Sequence, residues 1–194
     1  MNVLIVAASP EVIPLPRHAD YVIGVDGGYQ KLLDEGIEPD VVVGDFDSFV
    51  GKPPKEALRY PSEKDMTDLE IALQLARERG ATRMHVYGAL GGRVDMTFAN
   101  VGLLEKYPEM VLHGNGQTVY LVKAGDYSFS KKEGYYLSFI PWKTATISID
   151  GVKYPLEHHD INSEKALTIS NEWTEAFARL TVHRGIVLVM VVKK

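Results

Sequence analysis

The sequence predicts an α/β chain in two parts: an N-terminal doubly wound, mostly parallel sheet domain followed by a small C-terminal antiparallel β-sandwich domain. Two observations carry this. Up to about residue 122, short β-branched runs alternate with segments of helical spacing, the βαβα order of a parallel sheet covered by helices. From about Tyr127 helical periodicity disappears, and short strand-like runs follow one another as in an all-β unit. The expected domains are therefore residues 1–124 and 125–194.

Each element has its own local cause. Residues 3–7 are continuously apolar, suited to a strand covered on both faces, and Pro10, Pro14 and Pro16 make the next connection a loop. Residues 21–25 form a second strand ending at Asp26-Gly27-Gly28, and 29–35 a short helix closed by Gly36. The valines at 41–43 favour a third strand because branched side chains pack well on a pleated surface. Gly44 releases the backbone, so Asp45 and Asp47 fall in the turn beyond it, ahead of Ser48 and a loop around Pro53-Pro54. Thr67-Asp68-Leu69-Glu70 reads as a capping box, with Thr67 capping the helix and Glu70 reaching back. Leu69, Ala72, Leu73 and Ala76 continue it at helical spacing to a stop at Gly80. A strand over 84–87, a glycine-rich turn through Gly91, Gly92 and Arg93, a helix over 96–106 and strands at 111–112 and 119–122 complete the first part. The tail offers strands at 135–140, 144–149, 166–170, 178–182 and 186–192, with His183-Arg184-Gly185 as a tight connection.

Composition narrows the function classes. A net charge of −5 gives no basic field for nucleic acid or an anionic membrane. The absence of cysteine excludes disulfides, thiolate zinc sites and cysteine nucleophiles, and fits a reducing, cytoplasmic setting. No apolar run approaches the ~20 residues of a membrane span, and the apolar start reads as a first strand rather than a signal peptide.

In an open parallel sheet, ligands bind beyond the carboxyl ends of the strands. Asp26 follows the second strand, Asp45 and Asp47 the third, Asp95 the glycine turn, and Asp68 opens a helix entered from the same side, so the topology gathers these acids on one edge. Taken singly, each has a structural alternative: a helix cap, a dipole partner or a turn residue. Two carboxylates one residue apart repel unless a cation lies between them, and hard oxygen ligands without cysteine suit Mg²⁺. Gly91 and Gly92 let backbone amides approach an anion, and Arg93 can pair with phosphate oxygens. Neither a Walker A loop nor a Gly-x-Gly-x-x-Gly fingerprint follows the first strand, so a polyphosphate would be held through the metal.

In order, Asp26-Gly-Gly, Gly44-Asp-Phe-Asp-Ser48, Lys64-Asp-Met-Thr-Asp68 and Gly91-Gly-Arg-Val-Asp95 resemble the thiamine pyrophosphokinase family over nearly the whole chain. Gly151-Val-Lys-Tyr-Pro-Leu156 and Leu167-Thr-Ile-Ser-Asn171 are similar to that family's tail motifs. The resemblance implies diphosphoryl transfer from ATP to the hydroxyethyl oxygen of thiamine, and a homodimer with active sites shared between subunits. It implies Asp45, Asp47 and Asp68 as ligands of Mg²⁺, and Asp26, Gly27, Lys64, Gly91, Gly92 and Arg93 on the nucleotide. Asp95 completes the acidic edge and stands with Asp68 as a candidate general base, while Asp68, Thr168, Ser170 and Asn171 are placed at thiamine. Met96 stands where bacterial members often carry histidine, the loop Ala7-Ala8-Ser9-Pro10 lacks a glycine many members have, and Ile169 replaces a small hydroxyl residue. Tyr154 and Trp173 are candidates to stack on thiamine, against a core role, and His158-His159 reads as a solvated loop rather than a metal pair. Three other readings stay open: an Asp-Phe-Asp phosphohydrolase, a non-catalytic nucleotide or thiamine sensor, and a diphosphokinase acting on a pterin.

Overall fold

The computed structural model describes residues 1–44, 57–59 and 65–194. The chain divides into two compact units, Met1–Asn115 and Gly116–Lys194. In the first unit the described strands are β1 (Asn2–Val6), β2 (Tyr21–Val25), β3 (Val41–Gly44), β4 (Ala57–Arg59), β5 (Arg83–Tyr87) and β6 (Met110–Gly114). Their order is β6-β5-β1-β2-β3-β4, and every neighbouring pair is parallel. The helices are α1 (Gly28–Asp34), α2 (Asp68–Glu78) and α3 (Val94–Lys106).

β1 is buried from Val3 to Val6, as its unbroken apolar run requires. Leu4 and Val6 pack with Leu32 of α1, Leu15 and Val22, so α1 covers that face of the sheet. α2 buries Leu69, Ile71, Ala72, Leu73 and Ala76, an apolar stripe whose leucines each contribute about 1.5–3 kcal/mol on burial. Thr67 caps α2, its Oγ1 accepting the Glu70 N–H at 3.2 Å. The Glu70 carboxylate does not complete the capping box; it takes Lys106 Nζ at 2.8 Å instead, because an ammonium on α3 is a stronger partner than a backbone amide.

The second unit is antiparallel: β7 (Gln117–Val122), β8 (Gly125–Ser130), β9 (Tyr135–Asp150), β10 (Leu156–Asn162) and β11 (Phe177–Lys193). β7 pairs with β11, which places residues 117–122 in this unit although the sequence pattern groups them with the first. Two long strands serve both layers of the sandwich. The start of β11 runs between β8 and the end of β9; its far half runs between β7 and the start of β9. Leu137, Phe139, Ile147, Ile149, Leu180 and Val189 fill the core between the layers.

Several expectations for the tail are corrected. The segments 135–140 and 144–149 belong to one strand, as do 178–182 and 186–192. His183-Arg184-Gly185 is not a hairpin turn but the site of register shifts where β11 changes layer, which is how a sandwich turns a corner without breaking the chain. Residues 166–170 form turns, not a strand, and His158 and His159 lie on β10, exposed, at its own register shift. Among the described residues, no helix is long and apolar enough to cross a membrane.

Candidate functional site

Parallel pairing puts the carboxyl ends of β1, β2, β3 and β5 on one edge of the first unit, where a cleft of about 590 Å³ opens. Asp26 lies directly beyond β2. Its N–H donates to Val43 O at 2.9 Å, and its backbone adopts the left-handed conformation, φ 46°, sparsely populated outside glycine and asparagine. This turns the carboxylate over the end of β3. A Cβ on Gly44 would come within 1.9 Å of Asp26 Oδ1, so β3 has to end in glycine for Asp26 to sit there. Asp68 opens α2 one residue after its cap and lines the same cleft.

The other two walls are loops fastened to each other. After β1, Ala7 N donates to Tyr87 O at 2.8 Å and Ser9 N to Gly88 O at 2.9 Å; Ser9 Oγ donates to Leu90 O at 2.6 Å. Gly88 has φ 71°, and a Cβ there would stand 2.1 Å from Ala7 O, so this approach admits no side chain. Asn100 of α3, buried, anchors the glycine turn through Nδ2 to Ala89 O at 2.8 Å. Gly91 and Gly92 line the cleft ahead of the α3 N-terminus, both with positive φ.

Arg93 also lines the cleft, while Asp95 does not. The Arg93 guanidinium grips Asp95 with both arms, Nε to Oδ1 at 3.1 Å and Nη2 to Oδ2 at 2.6 Å. Asp95 Oδ1 further accepts Met96 N at 2.9 Å in the first turn of α3. The hydrogen bond from Arg93 holds the Asp95 carboxyl below the usual range and raises the guanidinium in turn. Both side chains are exposed, so the pair orients Arg93 rather than stabilising the fold. Asp95 therefore meets the cleft through Arg93 rather than by lining it. Gly27 stands outside the cleft as the N-cap residue of α1.

Asp26 and Asp68 thus share one cleft with Gly91, Gly92 and Arg93. Asp45, Asp47 and Lys64 lie outside the described residues, Asp45 following directly on Gly44. Among the described residues no group of three or more histidines and carboxylates could hold a metal. The donor chemistry of the cleft, carboxylate oxygen without thiolate, fits a hard cation such as Mg²⁺. Sequence reasoning missed Ser9 and Asn100; a serine bonded across 81 residues and a lone helical asparagine leave no spacing signal.

In the second unit, Thr168 and Asn171 are buried and structurally engaged. Thr168 Oγ1 donates to Phe139 O. Asn171 Oδ1 accepts Tyr154 N and Glu172 N, each at 3.0 Å, and its Nδ2 donates to Tyr154 O at 2.9 Å. Ser170 is exposed between them at φ 55°, flanked by exposed Leu167, Ile169 and Tyr154. Trp173 belongs to the core, its indole N–H donating to Phe129 O at 3.0 Å. His158 and His183 place their rings 4.5 Å apart, and His183 Nε2 meets Ser148 Oγ at 2.8 Å.

Residues 14–113 match the family model described as the thiamin pyrophosphokinase catalytic domain, and residues 126–187 match that of the thiamin pyrophosphokinase vitamin B1 binding domain. A thiamine pyrophosphokinase of Bacillus subtilis (strain 168) is 32% identical over 182 residues, 87% of this chain and 85% of that protein. The crystal structure of a thiamine pyrophosphokinase from Bacillus subtilis superposes with a TM-score of 0.91 at 30% identity, covering 100% of both chains. One from Geobacillus thermodenitrificans gives 0.87 at 31% identity, covering 100% of this chain and 98% of that one.

Proposed function

The chain belongs to the thiamine pyrophosphokinase family, and we propose that its α/β cleft holds ATP while the β-sandwich unit presents thiamine. Its activity is that of a thiamine diphosphokinase: a diphosphoryl group passes from ATP to the hydroxyethyl oxygen of thiamine, giving thiamine diphosphate and AMP. The observation that carries the site assignment is the meeting of Asp26 and Asp68 with Arg93 and the glycine turn around one cleft.

Attack on the β-phosphorus needs an aligned nucleophile, screened phosphate charge and a stabilised AMP leaving group. Asp45, Asp47 and Asp68 would hold Mg²⁺, which would supply positive charge to screen the phosphates. Asp26, held over Gly44, adds to the acidic side of the cleft. Arg93, aligned by Asp95, and the Gly91 and Gly92 amides set fixed positive potential where phosphate charge develops. Lys64 belongs to the nucleotide side in this reading, and Gly27 supports it from outside the cleft, where a Cβ would stand 3.2 Å from that of Ala8. The acidic surroundings also attract thiamine, a cation. Exposed Ser170 contacts thiamine directly, while Thr168 and Asn171 shape the turn that carries it. ATP and Mg²⁺ are assigned to the first unit, which ends at Asn115 rather than at 124, thiamine to the second, and the working form is a cytoplasmic homodimer with shared sites.

A phosphohydrolase of the Asp-x-Asp type is disfavoured because the acid pair follows β3 rather than the first strand. Asp47→Ala is expected to abolish AMP formation, a loss on the order of 10³-fold, with the melting temperature unchanged. Near-wild-type turnover in that variant, measured as thiamine-dependent AMP release, would remove the metal role.

A further inference from the structure

The wall of the cleft after β1 is held from both sides. Toward the cleft, Ser9 is hydrogen-bonded to Gly88 and Leu90 of the glycine turn, and Pro10 lies against Gly92, where a Cβ would come within 3.0 Å of its ring. The Glu11 carboxylate packs on Gly91 and accepts Asn115 N at 3.1 Å. On the far side one group does the holding: Lys31 Nζ, from α1, donates to Ser9 O and to Glu11 O, the latter at 3.1 Å. One ammonium thereby clasps two carbonyls on either side of Pro10, a residue with no N–H to offer.

We propose that Lys31 is a positioning residue that fixes residues 9–11 as a preorganised wall of the nucleotide subsite. This rests on the reading of the cleft as the ATP site. Lys31 does not line that cleft; Ala7, Ala8, Ser9 and Pro10 do. A wall already fixed loses little entropy when ligand arrives, whereas a loosened one has to be ordered on binding, at a cost in affinity. The ammonium is partly desolvated, which pulls its pKa down, while the Glu11 carboxylate pulls it back up.

The test is a steady-state comparison of wild type, Lys31→Met and Lys31→Arg, with KM for ATP and for thiamine and kcat measured separately. Lys31→Met is expected to raise the KM for ATP about 10-fold, the loss of charge-assisted hydrogen bonds, with kcat and the KM for thiamine within about twofold. Lys31→Arg, which restores a cation with several donors, recovers most of the ATP KM. An unchanged KM for ATP, or an equal rise in both KM values, would overturn the proposal. Should Lys31→Met not fold, Lys31→Gln reads the same split. A wild-type protein that forms no thiamine diphosphate would refute the activity instead; calorimetric ATP affinity of wild type and variant would then decide the role of Lys31, equal affinities counting against it.

Discussion

Asp26 sits where three local constraints meet: a left-handed backbone, an N–H bonded to Val43, and a carboxylate resting on Gly44. Gly44→Ala tests whether that placement matters. Alanine suits the extended backbone of β3, so the fold tolerates it, but its Cβ needs the space that Asp26 Oδ1 occupies. The expected outcome is a melting temperature within about 4 °C of wild type and a fall in kcat/KM of about 10²-fold. Preserved activity would show that the Asp26 carboxylate has no fixed task. A second residue-scale effect concerns His85, whose Nδ1 lies 2.9 Å from His113 Nε2. Burial, then the charge of Arg83, holds the His85 pKa below its usual value. The unfolded chain therefore binds a proton that the native His85 resists. This contribution is intact above the ordinary histidine pKa of about 6.5 and is lost as pH falls below it, by at most ~1.4 kcal/mol per pH unit. Thermal melts between pH 7.5 and 5.5 are expected to show a shallower decline for His85→Gln than for wild type. Parallel declines would contradict this.

At the scale of elements, the part of the chain that could be read from sequence is the part governed by local rules. The strand ends, the Thr67 cap and the glycine stops follow from residue type, and parallel pairing then brings Asp26 and Asp68 to one cleft. The bidentate pair of Asp95 with Arg93 was not legible, because it depends on side-chain geometry that spacing does not encode. In the tail, the chemistry of a bulge imitates that of a turn. Gly185 has φ 93°, the value a hairpin turn also demands, yet it lies within β11, and a Cβ there would stand 2.4 Å from Thr144 O. The run at 166–170 misled in the opposite sense: its β-branched residues suggested a strand, but Thr168 is drawn to the Phe139 carbonyl and Ser170 turns left-handed. Gly185→Ala is accordingly expected to destabilise the protein by about 2–4 kcal/mol through strain and collision at the layer crossing. Chemical denaturation checks it, and a loss under ~1 kcal/mol would mean the bulge relaxes freely.

For the molecule as a whole, the two compact units present different surfaces: a parallel sheet whose edge gathers Asp26, Asp68 and the glycine turn, and an antiparallel sandwich that displays Ser170 with exposed apolar neighbours. A net charge of −5 gives no global attraction for anionic phosphates, so in the proposed site Arg93 and the glycine turn would have to meet them locally, with a divalent cation. The decisive measurement is product analysis of purified protein supplied with ATP, Mg²⁺ and thiamine. AMP and thiamine diphosphate appearing in equal amounts, with AMP release dependent on both thiamine and Mg²⁺, is the predicted result. ADP or inorganic phosphate released at the same rate without thiamine would contradict it.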